Sequence, residues 1–296
     1  MGSEADPTLP PMAERQRPRR LWRRVALGVL ALGLALGAWA FWLEPASLRV
    51  HETTLALEKW PRELDGLRIA VLADLHTGSP WNGETNLRRV VEETNRAAPD
   101  LVLVAGDLVI QSVAGGDFVP PEASGAILAS LDAPTYAVLG NHDWWLDGPR
   151  VMGALRGAGV TVLEDSAAAL AAGGHPFWLA GISDFWEAPH DVDRALSAVP
   201  PEAPVLAFTH NPDVFPEVPA RVALTVAGHT HGGQVAFPLV GRPVVPSEYG
   251  ERYALGHVRE GGRDLFVSTG VGTSILPVRF RVPPEVTVLT LRPAAP

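Results

Sequence analysis

Residues 222–234 read Val222-Ala-Leu-Thr-Val-Ala-Gly-His-Thr-His-Gly-Gly-Gln234. The apolar first half has the length and composition of a buried strand, and the second half is a glycine-flanked loop leaving it. Two histidines one residue apart, His229 and His231, can both aim a ring nitrogen at one point. Neutral imidazole is the commonest protein metal ligand. In open α/β sheets, ligands bind outside the carboxyl ends of strands. By itself, His-x-His is equally compatible with two loop histidines and no ligand.

Working outward, the same pattern recurs. The apolar run 67–73 ends in Asp74-Leu-His76, and 101–105 ends in Gly106-Asp107. The run 135–139 ends in Gly140-Asn-His-Asp143, and 205–208 in Thr209-His210-Asn211. Taken singly, these are a turn, a loop or a helix cap. Arriving in succession at strand ends, they imply one site, and they take up five of the nine histidines.

Between the strands lie helical stretches. Residues 84–98 place Leu87, Val90 and Val91 on one side, 120–131 open with prolines, and a third helix is expected over 149–158. This alternation of strand and helix predicts a layered α/β domain. The second half is richer in strands, expected at 160–163, 177–182, 253–258, 265–268 and 286–291. Those at 253–258 and 265–268 would pair as a hairpin across Gly261-Gly262, and 286–291 alternates like an edge or final strand.

At 296 residues and 47% hydrophobic composition, the chain can bury a sizeable core. It has no cysteine, so any metal must be held by nitrogen and oxygen. Of 24 Lys and Arg and 33 Asp and Glu, the first 24 residues hold six arginines and three acids, which leaves 18 against 30 for the rest. So acidic a body is a poor partner for a nucleic-acid backbone, and no nucleic acid is expected.

Residues 25–43 carry no charge and would span about 28 Å as a helix, close to a bilayer's hydrocarbon thickness. Trp22, Trp39 and Trp42 stand near its ends. The arginines before it predict a cytoplasmic N-terminus and an extracytoplasmic body. Ala38-Trp39-Ala40 also fits a signal-peptidase site, and Arg19-Arg20 loosely fits twin-arginine export. The expected organisation is a disordered basic tail (1–24), a transmembrane anchor or signal (25–43) and a catalytic domain (45–296).

The order and spelling of the five islands resemble the calcineurin-like metallophosphoesterase superfamily. Gly270-Val-Gly-Thr-Ser274, Pro277-Val-Arg-Phe280 and Pro284-Glu285 make the chain similar to its membrane-associated bacterial branch. That branch includes lipid A precursor (UDP-2,3-diacylglucosamine) pyrophosphatase-like enzymes. The resemblance covers about residues 48–291 and implies a four-layer α-β-β-α sandwich with two divalent metal ions. Asp74, His76 and His231 would hold one ion, Asn141, His210 and His229 the other, and Asp107 would bridge them. A carboxylate between two cations lowers their mutual repulsion, and such a pair can clamp the attacking and leaving oxygens of displacement at phosphorus. The donor set suits Mn, Fe or Zn. His142 would face the substrate, steadying phosphoryl charge or protonating the leaving oxygen.

In many relatives, an acidic or amide residue three positions after the Gly-Asp pair orients the catalytic histidine. Here that position is Ile110, which leaves Asp143 or a backbone carbonyl to pair with His142. The aromatic pairs Trp144-Trp145 and Phe185-Trp186 are either an apolar rim for a lipid tail or bilayer, or ordinary core. The expected activity is hydrolysis of a phosphodiester or pyrophosphate, of a membrane lipid or its precursor. A membrane-tethered binding protein on the same scaffold and a protein phosphatase are the alternatives.

Overall fold

Near-continuous Val, Leu and Ala runs make strands buried on both faces, and they form the centre of two sheets. In a computed structural model that describes residues 17–295, β1 (Arg49–Leu57), β2 (Leu67–Leu72), β3 (Leu101–Ala105), β4 (Thr135–Val138) and β5 (Thr161–Val162) lie in one sheet. The other holds β6 (Ser166–Ala172), β7 (His175–Ile182), β8 (Val205–Thr209), β9 (Leu224–Ala227), β10 (Gly256–Glu260) and β11 (Arg263–Val267). The last strand, β12 (Glu285–Pro293), returns to the first sheet. The orders are β1-β12-β2-β3-β4-β5 and β10-β11-β9-β8-β7-β6.

The helices are α1 (Arg17–Ala38), α2 (Glu84–Arg96), α3 (Pro121–Leu128), α4 (Asn141–Gly157) and α5 (Val192–Leu196). Strand side chains alternate between faces. Ile69 and Val71 of β2 therefore join Leu103, Leu179, Phe208 and Val226 in a core between the sheets. Ala70 and Leu72 point the other way, onto Leu87 and Val90 of α2 and Leu155 of α4. On the far side, Val192, Ala195 and Leu196 of α5 pack on Ala180, Val205 and Ala207. The result is four layers, helix, sheet, sheet, helix, as the resemblance implies.

Several elements depart from the expectations. The strand over 286–291 is the final one, but it lies inside its sheet, parallel to β1 and antiparallel to β2, so β1 forms the edge. Neither β1, with its exposed charged and Thr positions, nor the Ala-rich β6 has an apolar run to announce it. The third helix begins at Asn141, eight residues earlier than 149, and leaves helical geometry at Asp147 (φ −178°, ψ 90°) just ahead of Pro149. Proline denies the preceding turn its hydrogen bond, so the two halves read as separate in sequence.

By contact the chain divides into two units, one up to Trp39 and one from Ala40 onward. In the first, α1 exposes Leu27, Val29 and Leu34; the helical stretch Arg20–Leu43, whose last four residues fall in the second, is long and apolar enough to cross a membrane. The expected basic tail falls largely on residues 1–16, outside the described residues.

Candidate metal centre

The central strands of both sheets release their chains toward one place. Asp74 and His76 follow β2, Asp107 follows β3, and Asn141 and His142 open α4 directly after β4. His210 follows β8, and His229 and His231 follow β9. All eight side chains named from the sequence are brought together and buried. Asp74, His76, Asp107, His229 and His231 have φ of 50°, 38°, 56°, 69° and 51°. Non-glycine residues adopt this left-handed region at a cost, and such strain collects at functional sites.

Neighbouring glycines make the approach possible. A Cβ on Gly106 (φ +81°) would stand 2.6 Å from His210 Nδ1, and one on Gly228 would stand 2.8 Å from Asp74 Oδ2. Gly270 and Gly272 press on the Cβ atoms of Asp74 and His76 in the same way, at 2.7 Å each.

Hydrogen bonds aim the imidazoles. His76 Nδ1 donates to the Val109 carbonyl at 3.1 Å, and His210 Nδ1 to that of Ala105 at 2.8 Å. Each Nε2 is thereby left toward the centre, as in metal-binding histidines whose other ring nitrogen is tied to a carbonyl. His76 Nε2 lies 3.2 Å from His231 Nε2. His210 Nε2 lies 3.0 Å from His229 Nδ1 and 3.2 Å from Asn141 Oδ1. Donors about 2.1 Å from a common ion stand roughly 3.0–3.4 Å apart, so these spacings fit. Asp107 Oδ2 sits between the two groups, 3.4 Å from His76 Nε2 and 3.3 Å from His210 Nε2. Among the described residues, buried Nε2 of His229 and Nδ1 of His231 have no hydrogen-bond partner.

Charge states follow from burial. Desolvation pushes His76 down to about 4 and His229 and His231 well below their ordinary value. They are neutral, as metal ligands must be. His210 goes the other way, because the Asp107 carboxylate outweighs the burial that would lower it. Asp107, which burial alone would raise, is held far below the carboxylate range by His210, His76 and His142. Asp74 is pushed up to about 7 by burial, against the opposing pull of His210. Buried carboxylates among imidazoles are a donor set for divalent cations, which His210 joins on giving up its proton.

His142 stands beside the cluster, its ring 4.7 Å from that of His76 and 4.7 Å from that of Trp145. Among the described residues its buried Nδ1 has no hydrogen-bond partner, so neither Asp143 nor a carbonyl orients it through that nitrogen. Asp143 does something else. Its Oδ1 accepts from Leu108 N (2.9 Å) and Val109 N (3.2 Å), and its Oδ2 accepts from Gly140 N (3.0 Å). It therefore braces the loop of Asp107 against the turn that starts α4. Packing holds His142 instead.

The aromatic pairs split. Trp144 joins the core under α4 and Phe185 the one under α5. Trp145 and Trp186 are half exposed, Trp145 against His142 and Trp186 edge-on to His229 at 4.3 Å. Reading the sequence missed two supports. Asp184, at the end of β7, is fully buried and acts on His210 by charge. Arg279, also fully buried, donates to the carbonyls of Thr269, Gly270, Gly272 and Val282. It thus holds the loop that carries Gly270 and Gly272. An Asp after a strand was a visible signal for the first; nothing in the hydropathy pattern marks the second.

Two packed sheets that pool carboxylates and imidazoles at one edge define a metal-dependent phosphoester hydrolase. The calcineurin-like phosphoesterase family model matches residues 67–233, and the chain belongs to that family. The uncharacterized metallophosphoesterase YkuE of Bacillus subtilis is 30% identical over 286 residues, 95% of this chain and 98% of that one. The phosphodiesterase YaeI of Escherichia coli is 36% identical over 232 residues, covering 76% and 82%. The UDP-2,3-diacylglucosamine pyrophosphatase LpxG of Chlamydia trachomatis is 25% identical, covering 88% and 94%.

Proposed function

We propose that this protein hydrolyses a phosphodiester or pyrophosphate bond of a membrane-derived substrate, using two divalent cations of the Mn, Fe or Zn type. Asp74, His76 and His231 would hold one cation, Asn141, His210 and His229 the other, and Asp107 would serve both. The observation that carries this reading is the single oxygen Asp107 Oδ2, within 3.4 Å of an imidazole from each group. When bound, divalent cations draw charge from a phosphoryl group and make water nucleophilic at neutral pH.

The chain's own residues do the rest. Carbonyls of Val109 and Ala105 fix the tautomers of His76 and His210. His142 is kept neutral by burial, which outweighs the raising effect of Asp107. Its unpartnered Nδ1 is less costly as a lone pair, so the proton sits on Nε2, ready for a phosphoryl or leaving-group oxygen. Trp145 and Trp186 flank the cluster and exclude water from part of it.

A lipid pyrophosphate or phosphodiester is the preferred substrate class. The Escherichia coli relative, a phosphodiesterase, supports the bond type, and the Chlamydia trachomatis diacylglucosamine pyrophosphatase and the apolar N-terminal helix support the lipid. We assign residues 25–43 to a membrane anchor whose last residues, from Ala40 on, pack on the catalytic domain of residues 45–296. The arginines before the anchor favour an extracytoplasmic body.

The test uses the full chain in detergent with elemental analysis and a chromogenic phosphodiester plus Mn²⁺. Two metal equivalents and turnover are expected, both lost in Asp107→Ala. A wild-type chain that binds no metal and hydrolyses nothing overturns the reading. Nucleotide-sugar lipids, phosphodiesters and phosphopeptides compared side by side then assign the class.

A further inference from the structure

The junction after the apolar helix is built into the loops around the metal centre. Trp42 stacks on Trp81 at 5.1 Å, and Trp81 Nε1 donates to the Phe41 carbonyl. Arg279 N donates to the Ala40 carbonyl, and Glu44 accepts from Val282 N. Trp81 belongs to the loop that follows His76, and Val282 to the loop held by Arg279.

These loops are joined to two more. Ile275 accepts from Ala114 N, in the loop after Asp107. Gln234, three residues past His231, accepts from Ser274 N and donates to the Leu276 carbonyl. Ala236 N donates to Phe280, and reciprocal bonds between Phe237 and Gly241 close a turn whose tip is Leu239 and Val240.

The linked loops share one property. Trp42, Trp81, Leu239, Val240, Ile275 and Leu276 all expose large apolar side chains to solvent, Leu239 completely. Apolar side chains at the tips of loops, gathered in one region, mark an interaction surface. The nearby Arg242 is tied to Glu251 and to the Gly232 carbonyl, Arg279 is buried, and Arg281 is a single exposed cation, so among the described residues the rim holds no basic cluster. The chain that enters the rim at Ala40 comes straight from the candidate span Arg20–Leu43. Trp42 and Trp81 are the residue type favoured at a membrane interface.

We propose that this rim inserts into the interfacial zone of the bilayer and turns the mouth of the metal centre toward the membrane surface. The occupant is lipid, engaged by apolar insertion. Attraction to anionic headgroups is not the driving force, because the protein is net acidic (formal charge −9) and the rim lacks free cationic groups in number. The proposal rests on reading Arg20–Leu43 as a membrane span and is independent of which phosphoester is cleaved.

The absence of native cysteine makes the test direct. Single cysteines are placed at Leu30, Val240, Ile275 and His175 of the full chain. His175 opens β7, at the end of that strand away from the metal centre. Each variant is spin-labelled in phosphatidylcholine nanodiscs, and its relaxation by oxygen and by a water-soluble nickel complex is compared. Labels at 30, 240 and 275 are expected to favour oxygen, and the label at 175 to favour nickel, with no change on adding salt.

In the paired variant Val240→Glu/Ile275→Glu, a label at Leu276 should shift from oxygen to nickel at an unchanged melting temperature. Aqueous labels at 240 and 275 beside a lipid-buried label at 30 overturn the docking surface alone and point to a protein partner or open solvent. An aqueous label at 30 overturns the span and the docking surface together. Neither result touches the phosphoesterase reading.

Discussion

Replacing Asp143 separates support of the metal centre from membership in it. The carboxylate is 1% exposed and accepts three backbone N–H bonds, at 2.9, 3.2 and 3.0 Å. In Asp143→Ala those donors lose a charged acceptor, at roughly 1–3 kcal/mol each and less than additively, for a total of about 4 kcal/mol. For a body of this size that is roughly 8–16 °C in Tm. Asp143→Asn keeps one oxygen for Leu108 and Val109 but turns an NH₂ group toward Gly140 N–H, donor against donor. Burial and then the Asp107 charge push the Asp143 carboxyl up to about 7, so a neutral side chain recovers part of the loss. The expected cost for Asn is about 2 kcal/mol. Because Asp107 and Asn141 lie on the two braced segments, metal affinity should fall about 10–100-fold in Ala although every ligand remains. Urea denaturation with chelator present, and metal titration of the native chain, measure the two effects. If Asp143→Ala stays within about 1 kcal/mol of wild type and binds metal normally, the brace is wrong.

Four further outcomes follow from the same geometry. Arg279→Met leaves four buried carbonyls without their donor and should cost about 3–5 kcal/mol by denaturation; a loss under about 1 kcal/mol would show that the loop stands without it. Gly106→Ala puts a Cβ 2.6 Å from His210 Nδ1 at φ +81°, and elemental analysis should find metal content reduced in protein that still folds. Chelation should lower Tm in wild type but not in Asp107→Ala, since only a chain that binds metal is stabilised by it. The fourth concerns pH. His51 is raised above 6.5 chiefly by its hydrogen bond to Glu285, 3.2 Å away, with burial opposing. A raised folded-state value means stability fully present below 6.5 and lost as pH rises through the folded value. Wild type should therefore exceed His51→Gln in denaturation midpoint near about pH 6 and lose that advantage by about pH 9. An advantage that grows with pH contradicts the assignment.

Much of the site was legible because strand ends and ligand residues are both local features. The runs before Asp74, Asp107, Asn141, His210 and His229 are apolar enough to be central strands, and a parallel arrangement puts their carboxyl ends on one edge. The half-exposed β1 and β6 were not legible, because an edge strand needs no apolar pattern when its partner supplies the buried face. The role of Asp143, left open in the sequence beside a backbone carbonyl, was hidden for a related reason. Beside His142 in sequence, it looks like an orienting acid, yet the start of α4 turns its carboxylate to Leu108 and Val109 on another loop.

What the sequence determined alone was the set of candidate donors and the reaction class. Residue type decides which atoms can bind a cation, and the absence of cysteine leaves only nitrogen and oxygen. The tertiary structure decided which nitrogen of each imidazole faces inward, which aromatic of each pair reaches the site, and what supports the ligands. Those choices depend on carbonyls, amides and a guanidinium that come from distant parts of the chain. Val109 aims His76, Ala105 aims His210 and Arg279 holds Gly270 and Gly272 against Asp74 and His76. A hydrogen bond between residues far apart in sequence leaves no periodicity for a reader of the chain to find.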